Sequence, residues 1–380
     1  MKVAQGAWDH LPSADEVSGL MALQPQLAWV FADVRHLSAP DSLARLHAIL
    51  PGVKLIGCST AGEISQDGVM AGGVVITAVH FAHPSFQLVM TDLVDMADSF
   101  SAGQRLARQF DGSDVHSVIL FGQGVAINGS ALIEGMRSVL NPQVSISGGL
   151  AGDGGAFRQT WTVSDSAVSS TQLVALGLSG SHIRLRHGSF HGWQPFGVLR
   201  RVTRCDGNVL YELDGEPALE IYKRYLGDYA RDLPGSGLLF PFEMLSPERG
   251  ELGLIRTILG IDEAQGSLIL AGEVIKDGYL RLMHATTDSL IIGAEAAAER
   301  VREDALPAGD GLALLVSCVG RKLVMGAHVD EEVEAVAEVF GRDATVAGFY
   351  SYGEICPTVK GLDCKLHNQT MTITYLGEVG

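Results

Sequence analysis

Three short glycine-rich segments contain residue types that could bind an anion. They are residues 57–64 (GCSTAGEI), 147–153 (SGGLAGD) and 348–355 (GFYSYGEI), and each follows a short strand-like run. Glycine permits backbone conformations in which several N–H groups face one phosphate or carboxylate. The segments lack the lysine of a phosphate loop and the G-x-G-x-x-G spacing of a dinucleotide site. Tight turns at strand ends are therefore favoured over a nucleotide site.

Each segment carries an acidic residue near its end: Glu63, Asp153 or Glu354. A carboxylate here would repel phosphate unless it bound a ribose or a metal. It could instead cap backbone amides or pair with a cation such as Arg321. The repetition of the acid favours the structural role, while Glu354 and Arg321 stay candidates for lining a ligand pocket.

Cys58 lies at a strand end, where a nucleophile would be well placed. The other two copies have Gly148 and Phe349 at the position we align with it, and no partner histidine or aspartate follows from spacing. Residues 57–62 are also one residue longer than a G-x-S-x-G nucleophile elbow. We therefore predict a buried thiol and no catalytic residue.

The elements around the glycine segments repeat in the same order. A strand-like run, at 27–31, 117–121 or 312–316, is followed by an amphipathic helix, a second strand and the glycine segment. In the last copy the apolar helix positions are spaced at i, i+4, i+7 and i+11: Val329, Val333, Val336 and Phe340. This order predicts an α/β fold built from internally duplicated strand-helix-strand units, forming two similar α/β lobes with mixed sheets.

The middle of the chain departs from the repeat. Residues 187–198 and 200–213 are predicted as strands, and a helix is predicted from Glu216 to Tyr225, with Pro217 near its first turn. We place the boundary between two lobes near residue 200, with the N-terminal lobe at 20–200 and the C-terminal lobe at 201–378.

Composition excludes several classes of protein. The 380 residues are 47% hydrophobic, enough for two cores, and 44 acidic against 27 basic side chains give a formal charge of -17, which disfavours nucleic acid as a partner. Five scattered cysteines fit neither a disulfide framework nor paired zinc spacing. The sequence begins without a signal-peptide pattern and has no run of about 18 apolar residues. We expect a soluble, cytoplasmic protein with reduced thiols.

Several motifs in register resemble the FIST domain family. They are the three glycine segments, HGWQPFG at 191–197, LDGEPALEIY at 213–222 and HNQT at 367–370, so the resemblance runs from about residue 25 to residue 376. It implies FIST N-terminal and C-terminal lobes and a sensory or ligand-binding module. No kinase, cyclase or methyl-accepting segment is visible, so the resemblance implies a sensor whose output requires another protein.

Through the nitric-oxide-sensing branch of that family, the resemblance further implies b-type haem, nitric oxide as the signal and a histidine kinase as the partner. Haem needs an apolar cleft and one protein ligand to iron, usually a histidine nitrogen. His191 is the predicted iron ligand, and His187, four residues earlier, would share its face of a strand. The apolar residues that follow, Trp193, Pro195 and Phe196, would line the cleft.

An ordinary core strand would show the same residues, so the two interpretations stay open. His284 and His328 are the next candidates for the iron ligand. No C-x-x-C-H occurs, which excludes covalent haem attachment. The alternative is a haem-free sensor of a small organic ligand such as an amino acid, held by Arg321, Glu354 and the amides of the glycine segments. In both cases we expect binding rather than catalysis, and a homodimer is left open.

Overall fold

The computed structural model describes residues 1–110, 112–303, 306–307, 309–357 and 364–379. The first repeat forms a unit of six strands and three helices. In chain order these are β1 (Lys2–Trp8), α1 (Ser18–Met21), β2 (Leu27–Ala32), α2 (Val34–Leu37), α3 (Ser42–Ile49), β3 (Lys54–Ser59), β4 (Glu63–Ser65), β5 (Gly68–Met70) and β6 (Val74–His80). Strands β2 and β3 are parallel, and β6 and then β1 extend the sheet antiparallel beyond β2.

The second repeat has the same arrangement. Its elements are β7 (Phe86–Asp92), α4 (Ser99–Arg108), β8 (Ser117–Gly122), α5 (Gly129–Arg137), β9 (Ser145–Leu150), β10 (Thr162–Ser164), β11 (Val168–Ser169) and β12 (Gln172–Leu178). Strands β8 and β9 are the parallel pair, with β12 and β7 antiparallel beyond β8. The next strand, β13 (Ile183–Phe190), begins the third repeat.

The third repeat is interrupted by an inserted unit with its own sheet and apolar core. Its elements are β14 (Gln194–Pro195), β15 (Arg200–Asp206), β16 (Val209–Leu213), β17 (Glu216–Pro217), α6 (Ala218–Leu226), β18 (Phe242–Leu245), β19 (Glu251–Arg256), β20 (Ile258–Asp262), β21 (Ser267–Leu270) and β22 (Tyr279–His284). Helix α6 begins at Ala218, two residues after its predicted start at Glu216, because Glu216–Pro217 pairs with β16 as the short strand β17. We call residues 194–284 the inserted unit.

The chain then completes the third repeat. Its remaining elements are α7 (Thr287–Arg302), β23 (Gly311–Cys318), α8 (Val319–Met325), α9 (Val329–Phe340), β24 (Ala344–Ser351), β25 (Gly353–Pro357), β26 (Cys364–His367) and β27 (Met371–Glu378). Strands β23 and β24 are parallel, and β27 and β13 lie antiparallel beyond β23. Helix α7 begins at a capping box in which the Thr286 and Ser289 side chains bond each other's backbone amides, which fixes its first turn.

Each repeat gives a two-stranded hairpin to the sheet of another repeat. The first sheet has the order β1-β6-β2-β3-β10-β11, the second β7-β12-β8-β9-β25-β26 and the third β13-β27-β23-β24-β4-β5. The hairpin β4-β5, for example, comes from the first repeat and pairs with β24 of the third. The α/β class, the mixed sheets and the repeated strand-helix-strand units are confirmed, and the two halves of the chain share the second and third of these sheets.

The three sheets pack their inner faces into one apolar core. Phe31, Phe121 and Phe349, one from each sheet, meet there with ring centroids 4.9 to 5.7 Å apart. Helices cover the outer faces, each with a separate apolar cluster against its sheet. Strands buried on both faces consist almost wholly of apolar residues, which explains why β2, with six buried residues, was recognisable from sequence.

One glycine is structurally equivalent in all three repeats. Gly57, Gly148 and Gly348 each lie opposite the first strand of the parallel pair, where an added Cβ would come within 1.9 to 2.0 Å of that strand's carbonyl oxygen. The sequence alignment, which matched Ser147 to Gly57, is therefore wrong by one residue in the middle copy. The loop between Gly148 and its hairpin is eight residues longer than the corresponding loop of the first copy. This insertion is the reason the sequence alignment was wrong.

Candidate functional site

Glu354 joins its own glycine loop to the turn before β27. Its carboxylate accepts from the Ser351 hydroxyl at 2.7 Å and from the Thr370 amide at 3.2 Å. Burial raises the pKa of Glu354 to about 8, although both hydrogen bonds act to lower it. Arg321 forms no hydrogen bond to this carboxylate within the described chain. The Glu354 side chain thus connects two turns through these hydrogen bonds, and we call this contact a glutamate latch.

Glu63 forms the same latch in the first repeat. It accepts from the Thr60 hydroxyl and, at 2.8 Å, from the amide of Gly73, the residue before β6. Burial is the main cause that raises its pKa. Repetition of the contact in two repeats supports the structural interpretation of these acids.

Asp153 is not the counterpart of Glu63 and Glu354. Strand pairing places Thr162 opposite Cys58, as Glu63 lies opposite Phe349. Asp153 instead lies in the extra loop of the middle repeat, where its carboxylate accepts from three backbone amides (157–159) and from the Tyr352 hydroxyl. Alignment by residue type therefore assigned Asp153 to a position that Thr162 occupies.

Cys58 is fully buried, as predicted, and burial raises its pKa well above the ordinary value. All five cysteines are free thiols. A buried protonated thiol is a poor nucleophile.

Arg321 is buried and already neutralised. Its guanidinium donates to Glu332 at 2.6 and 3.1 Å and to the carbonyl oxygen of His191 at 2.6 Å. Glu332 also accepts from the Tyr350 hydroxyl at 2.5 Å, and both charged side chains are 0% exposed. The pair connects α8 to α9. Because Glu332 compensates the charge of Arg321, this arginine is not available to bind an anionic ligand.

His187 and His191 do not share one strand. Strand β13 ends at Phe190, and the chain turns at Gly192, which has φ +73 and packs against the backbone of α7. The predicted common face is therefore wrong. Burial lowers the pKa of both histidines to about 4, and for His191 the charge of Arg321 contributes after burial, so both rings are neutral at pH 7.

The three apolar residues predicted to line a cleft separate in the structure. Trp193 is buried and its indole N–H donates to the carbonyl oxygen of Gln369 at 3.0 Å. Pro195 and Phe196 are exposed. Phe196 packs within the inserted unit, with its ring centroid 5.6 Å from that of His284. His328, the other candidate for the iron ligand, has an exposed ring that bonds the Glu331 carboxylate at 2.7 Å.

The segment 367–370 (HNQT), quoted above only as a motif, contains buried polar groups that lack partners. Asn368 Oδ1 and Gln369 Oε1 are buried without a hydrogen bond, and so is Oγ1 of Thr257 in the inserted unit. Gln369 also has φ +59, a conformation that residues with a side chain rarely adopt. Its amide Nε2 donates to the Leu238 carbonyl at 2.9 Å, so Gln369 connects the inserted unit to the core.

Arg256 is a second buried arginine that sequence reasoning missed. It ends β19 in the inserted unit and donates to three carbonyl oxygens, those of Ile255, Glu273 and Leu366, at 3.1 to 3.3 Å. It forms no ion pair with any carboxylate of the described residues. An alternating strand pattern hides a buried cation, and no sequence signal marked it.

Arg256, Thr257, Asn368 and Gln369 therefore lie where the inserted unit meets β26 and the turn before β27. We call this set the junction site. A small cleft of about 280 Å³ lies elsewhere and none of the predicted site residues lines it. Within the described ranges no group of three or more His, Cys, Asp or Glu side chains could hold a metal ion. The described helices include none both long enough and apolar enough to cross a bilayer.

Two family models match consecutive parts of this fold. The FIST N domain matches residues 26–216 and the FIST C domain matches residues 218–357. The chain belongs to the FIST family. FIST domains are sensory domains of signal transduction. The FIST N match includes β14 to β17 of the inserted unit, and the junction segment 367–370 lies beyond the FIST C match.

Relatives of this FIST protein carry no assigned activity. The uncharacterized protein Rv0628c of Mycobacterium tuberculosis is 27% identical over 347 residues, covering 88% of this chain and 87% of its own length. The uncharacterized protein Mb0898c of Mycobacterium bovis is 27% identical over 364 residues, covering 90% and 88%. A solved cyanuric acid hydrolase from A. caulinodans aligns over 99% of both chains at 11% identity and a TM-score of 0.36, too low to assign fold or activity.

Proposed function

We propose that this FIST protein is a sensor that binds a small organic ligand at the junction site and acts by binding rather than by catalysis. The family supports the sensory role. The observation that carries the site is Gln369, which combines a strained backbone with a buried side-chain oxygen that has no partner.

The first repeat has glycine at the position of this turn that Gln369 occupies in the third. Gly73 and Thr370 donate equivalent amides to the two glutamate latches, so the residues before them, Gly72 and Gln369, are equivalent. Gly72 has φ +87 and Gln369 has φ +59. Glycine adopts this conformation without strain, whereas a glutamine pays about 1–3 kcal/mol. Gln369 therefore combines backbone strain with a buried side-chain oxygen that has no partner, and we propose that this oxygen contacts the ligand.

A ligand at this position would contact both the inserted unit and the three-repeat core. Any difference in its affinity for two arrangements of these parts would shift their populations. The chain would then signal through a partner protein, and a histidine kinase is the partner we propose.

The test is a thermal unfolding screen of the purified protein. The probes are the twenty amino acids, two- to six-carbon hydroxy acids, and the amides and amines of the same carbon skeletons. Binding to the folded state raises the free energy of unfolding by RT ln(1 + L/Kd), where L is the free probe concentration, and therefore raises the unfolding midpoint. We expect at least one probe class to raise it, and Gln369→Gly to fold and lose that response.

Gln24→Gly is the matched control, because Gln24 is an exposed glutamine with φ +54. It should keep the full response. If no probe shifts the wild type, or if Gln369→Gly responds like Gln24→Gly, the junction site is not the sensor site.

Haem b is a second candidate, favoured by one observation: His187 Nε2 is buried without a hydrogen-bond partner. His191 fits the role less well. Its Nδ1 accepts the Trp193 amide at 3.0 Å, so the neutral ring carries its proton on Nε2 and offers no free nitrogen to iron. When bound, haem would supply an iron that takes nitric oxide, and His187 would be its protein ligand.

The absorption spectrum of protein purified from cells given a haem precursor separates the two candidates. A Soret band at stoichiometric intensity that is lost in His187→Ala and kept in His191→Ala would favour haem at His187. Nitric oxide would then be expected to shift the band and to change the autophosphorylation of a partner kinase. A colourless protein that takes up no added hemin excludes this candidate.

A further inference from the structure

We propose that Arg256 is the anion-binding group of the junction site and that its ligand is a small carboxylate bearing a hydrogen-bond donor elsewhere in the molecule. The inference rests on the proposed sensor function and adds the chemical class of the ligand. It concerns a different arginine from Arg321, the cation that the sequence favoured.

The two buried arginines differ in their partners. Arg321 has a carboxylate, Glu332, at 2.6 Å, so its charge is compensated within the fold. Arg256 is 4% exposed, and its hydrogen-bond partners among the described residues are all carbonyl oxygens. A buried charge is stable only when it is paired or well hydrogen-bonded. Arg256 is thus hydrogen-bonded but has no carboxylate partner, whereas Arg321 has one.

The hydrogen bonds of Arg256 define what remains for a ligand. A guanidinium carries five N–H donors. Nε uses its one N–H on the carbonyl of Glu273, and Nη1 uses two on those of Ile255 and Leu366. Nη2 donates to no described residue, which leaves two N–H groups of one nitrogen for a carboxylate. Charge-assisted bonds to carboxylates are among the stronger hydrogen bonds in proteins.

The electrostatic surroundings support an external anion. Burial lowers the pKa of Arg256 to about 10. The negative charge of Glu273, whose side chain is exposed, raises that pKa but does not cancel the effect of burial. The neighbouring imidazole of His367 has a pKa lowered to about 4 by burial and then by surrounding positive charges, so it is neutral at pH 7. Glu273 thus offsets only part of the cost of burying Arg256, and His367 adds no negative charge.

We infer the rest of the ligand from the unpaired oxygens of the junction site. Thr257 follows Arg256 directly, and Asn368 and Gln369 follow Leu366, whose carbonyl Arg256 binds. The unpaired atoms on these three side chains are all oxygens. A carboxylate with an ammonium, hydroxyl or amide N–H would satisfy them, whereas a plain fatty acid would leave them unpaired.

The experiment compares carboxylates with their uncharged analogues. The probes are L-lactate, L-alanine, propionate, propionamide and propylamine, titrated by calorimetry into wild type, Arg256→Met and Arg281→Met. Arg281 is the matched control, because it lies on β22 of the same unit but is paired with Glu243. We expect lactate or alanine to bind more tightly than propionate, with no binding of propionamide. Arg256→Met should weaken carboxylate binding about 10- to 100-fold, and Arg281→Met should not.

A second measurement serves if Arg256→Met does not fold. In the wild type, the carboxylate that binds should slow amide hydrogen exchange in segments 251–257 and 364–370, and propionamide should not. The variant Arg256→Lys, which keeps charge but loses the fork of donors, should bind the acid more weakly than the wild type.

The outcomes separate this inference from the proposed function. If propylamine or propionamide binds at the junction as well as the acids do, or if Arg256→Met keeps wild-type acid affinity, the carboxylate assignment is overturned while the sensor site stands. If no probe of either screen binds, the proposed function fails and the inference falls with it.

Discussion

The buried pair of Arg321 and Glu332 offers the sharpest test of the site assignment. Both side chains are 0% exposed, and the pair joins helices α8 and α9 at 2.6 Å. Replacing Arg321 by Met removes the cation and leaves the Glu332 carboxylate with the hydroxyls of Ser317 and Tyr350 as its remaining donors. An uncompensated buried carboxylate must then be protonated or hydrated, and either change favours unfolding.

The expected loss is large relative to the stability of a folded protein. Removing one partner of a buried ion pair destabilises by about 3–5 kcal/mol, whereas net stabilities are about 5–15 kcal/mol. The double variant Arg321→Met, Glu332→Leu removes both charges and should recover much of the loss. The coupling free energy from this cycle should therefore be large and favourable.

Urea unfolding at pH 7, followed by circular dichroism, measures each free energy of unfolding. Arg201→Met is the control, because Arg201 pairs with Asp277 at 2.8 Å with both side chains about half exposed. An exposed pair contributes at most about 1 kcal/mol. If Arg321→Met costs no more than Arg201→Met, the pair is not structural and Arg321 is available to a ligand after all.

Two further predictions concern the repeats. Gly348→Ala should destabilise by about 1–3 kcal/mol or more, because its Cβ would lie 1.9 Å from a carbonyl oxygen, while Gly235→Ala, with open space around it, should leave the thermal midpoint nearly unchanged. Glu354 keeps its proton when folded up to about pH 8 but has an ordinary value of 4.5. Since the folded state binds more protons between these values, its contribution makes stability fall as pH rises from about 4.5 to 8. Glu354→Gln should flatten that fall in urea unfolding measured between pH 5 and pH 8; an equal slope in both proteins would contradict the assignment.

The strand-helix-strand units could be predicted because their signals are local. Of the four α9 positions chosen by spacing alone, Val333, Val336 and Phe340 are buried, and Val329 is partly buried against the same cluster. The exchange of hairpins between sheets could not be predicted. Strand β4 has three residues and pairs with β24, nearly three hundred positions away. Nothing in so short a segment specifies which edge it joins.

The candidate site was predictable only in part, for a similar reason. Charge on a side chain is visible in sequence, but compensation of that charge depends on the fold. Arg321 looked available, yet Glu332, one helix later, neutralises it. Arg256 looked like an ordinary strand residue, yet the fold buries it without an acid. The chain itself contains no pattern that distinguishes the two.

The repeats allow structural and functional residues to be separated within one chain. Where the three copies agree, as at Gly57, Gly148 and Gly348, the shared contact is one that the fold requires. The turn before the inner antiparallel strand has positive φ in the first and third copies, and the first copy uses Gly72 there. At the equivalent position of the third copy, the strained Gln369 bonds the Leu238 carbonyl through Nε2 and leaves Oε1 without a partner. Because the third repeat is also the one that holds the inserted unit, the departure from symmetry and the junction site coincide, and this coincidence is the reason to look for the ligand there.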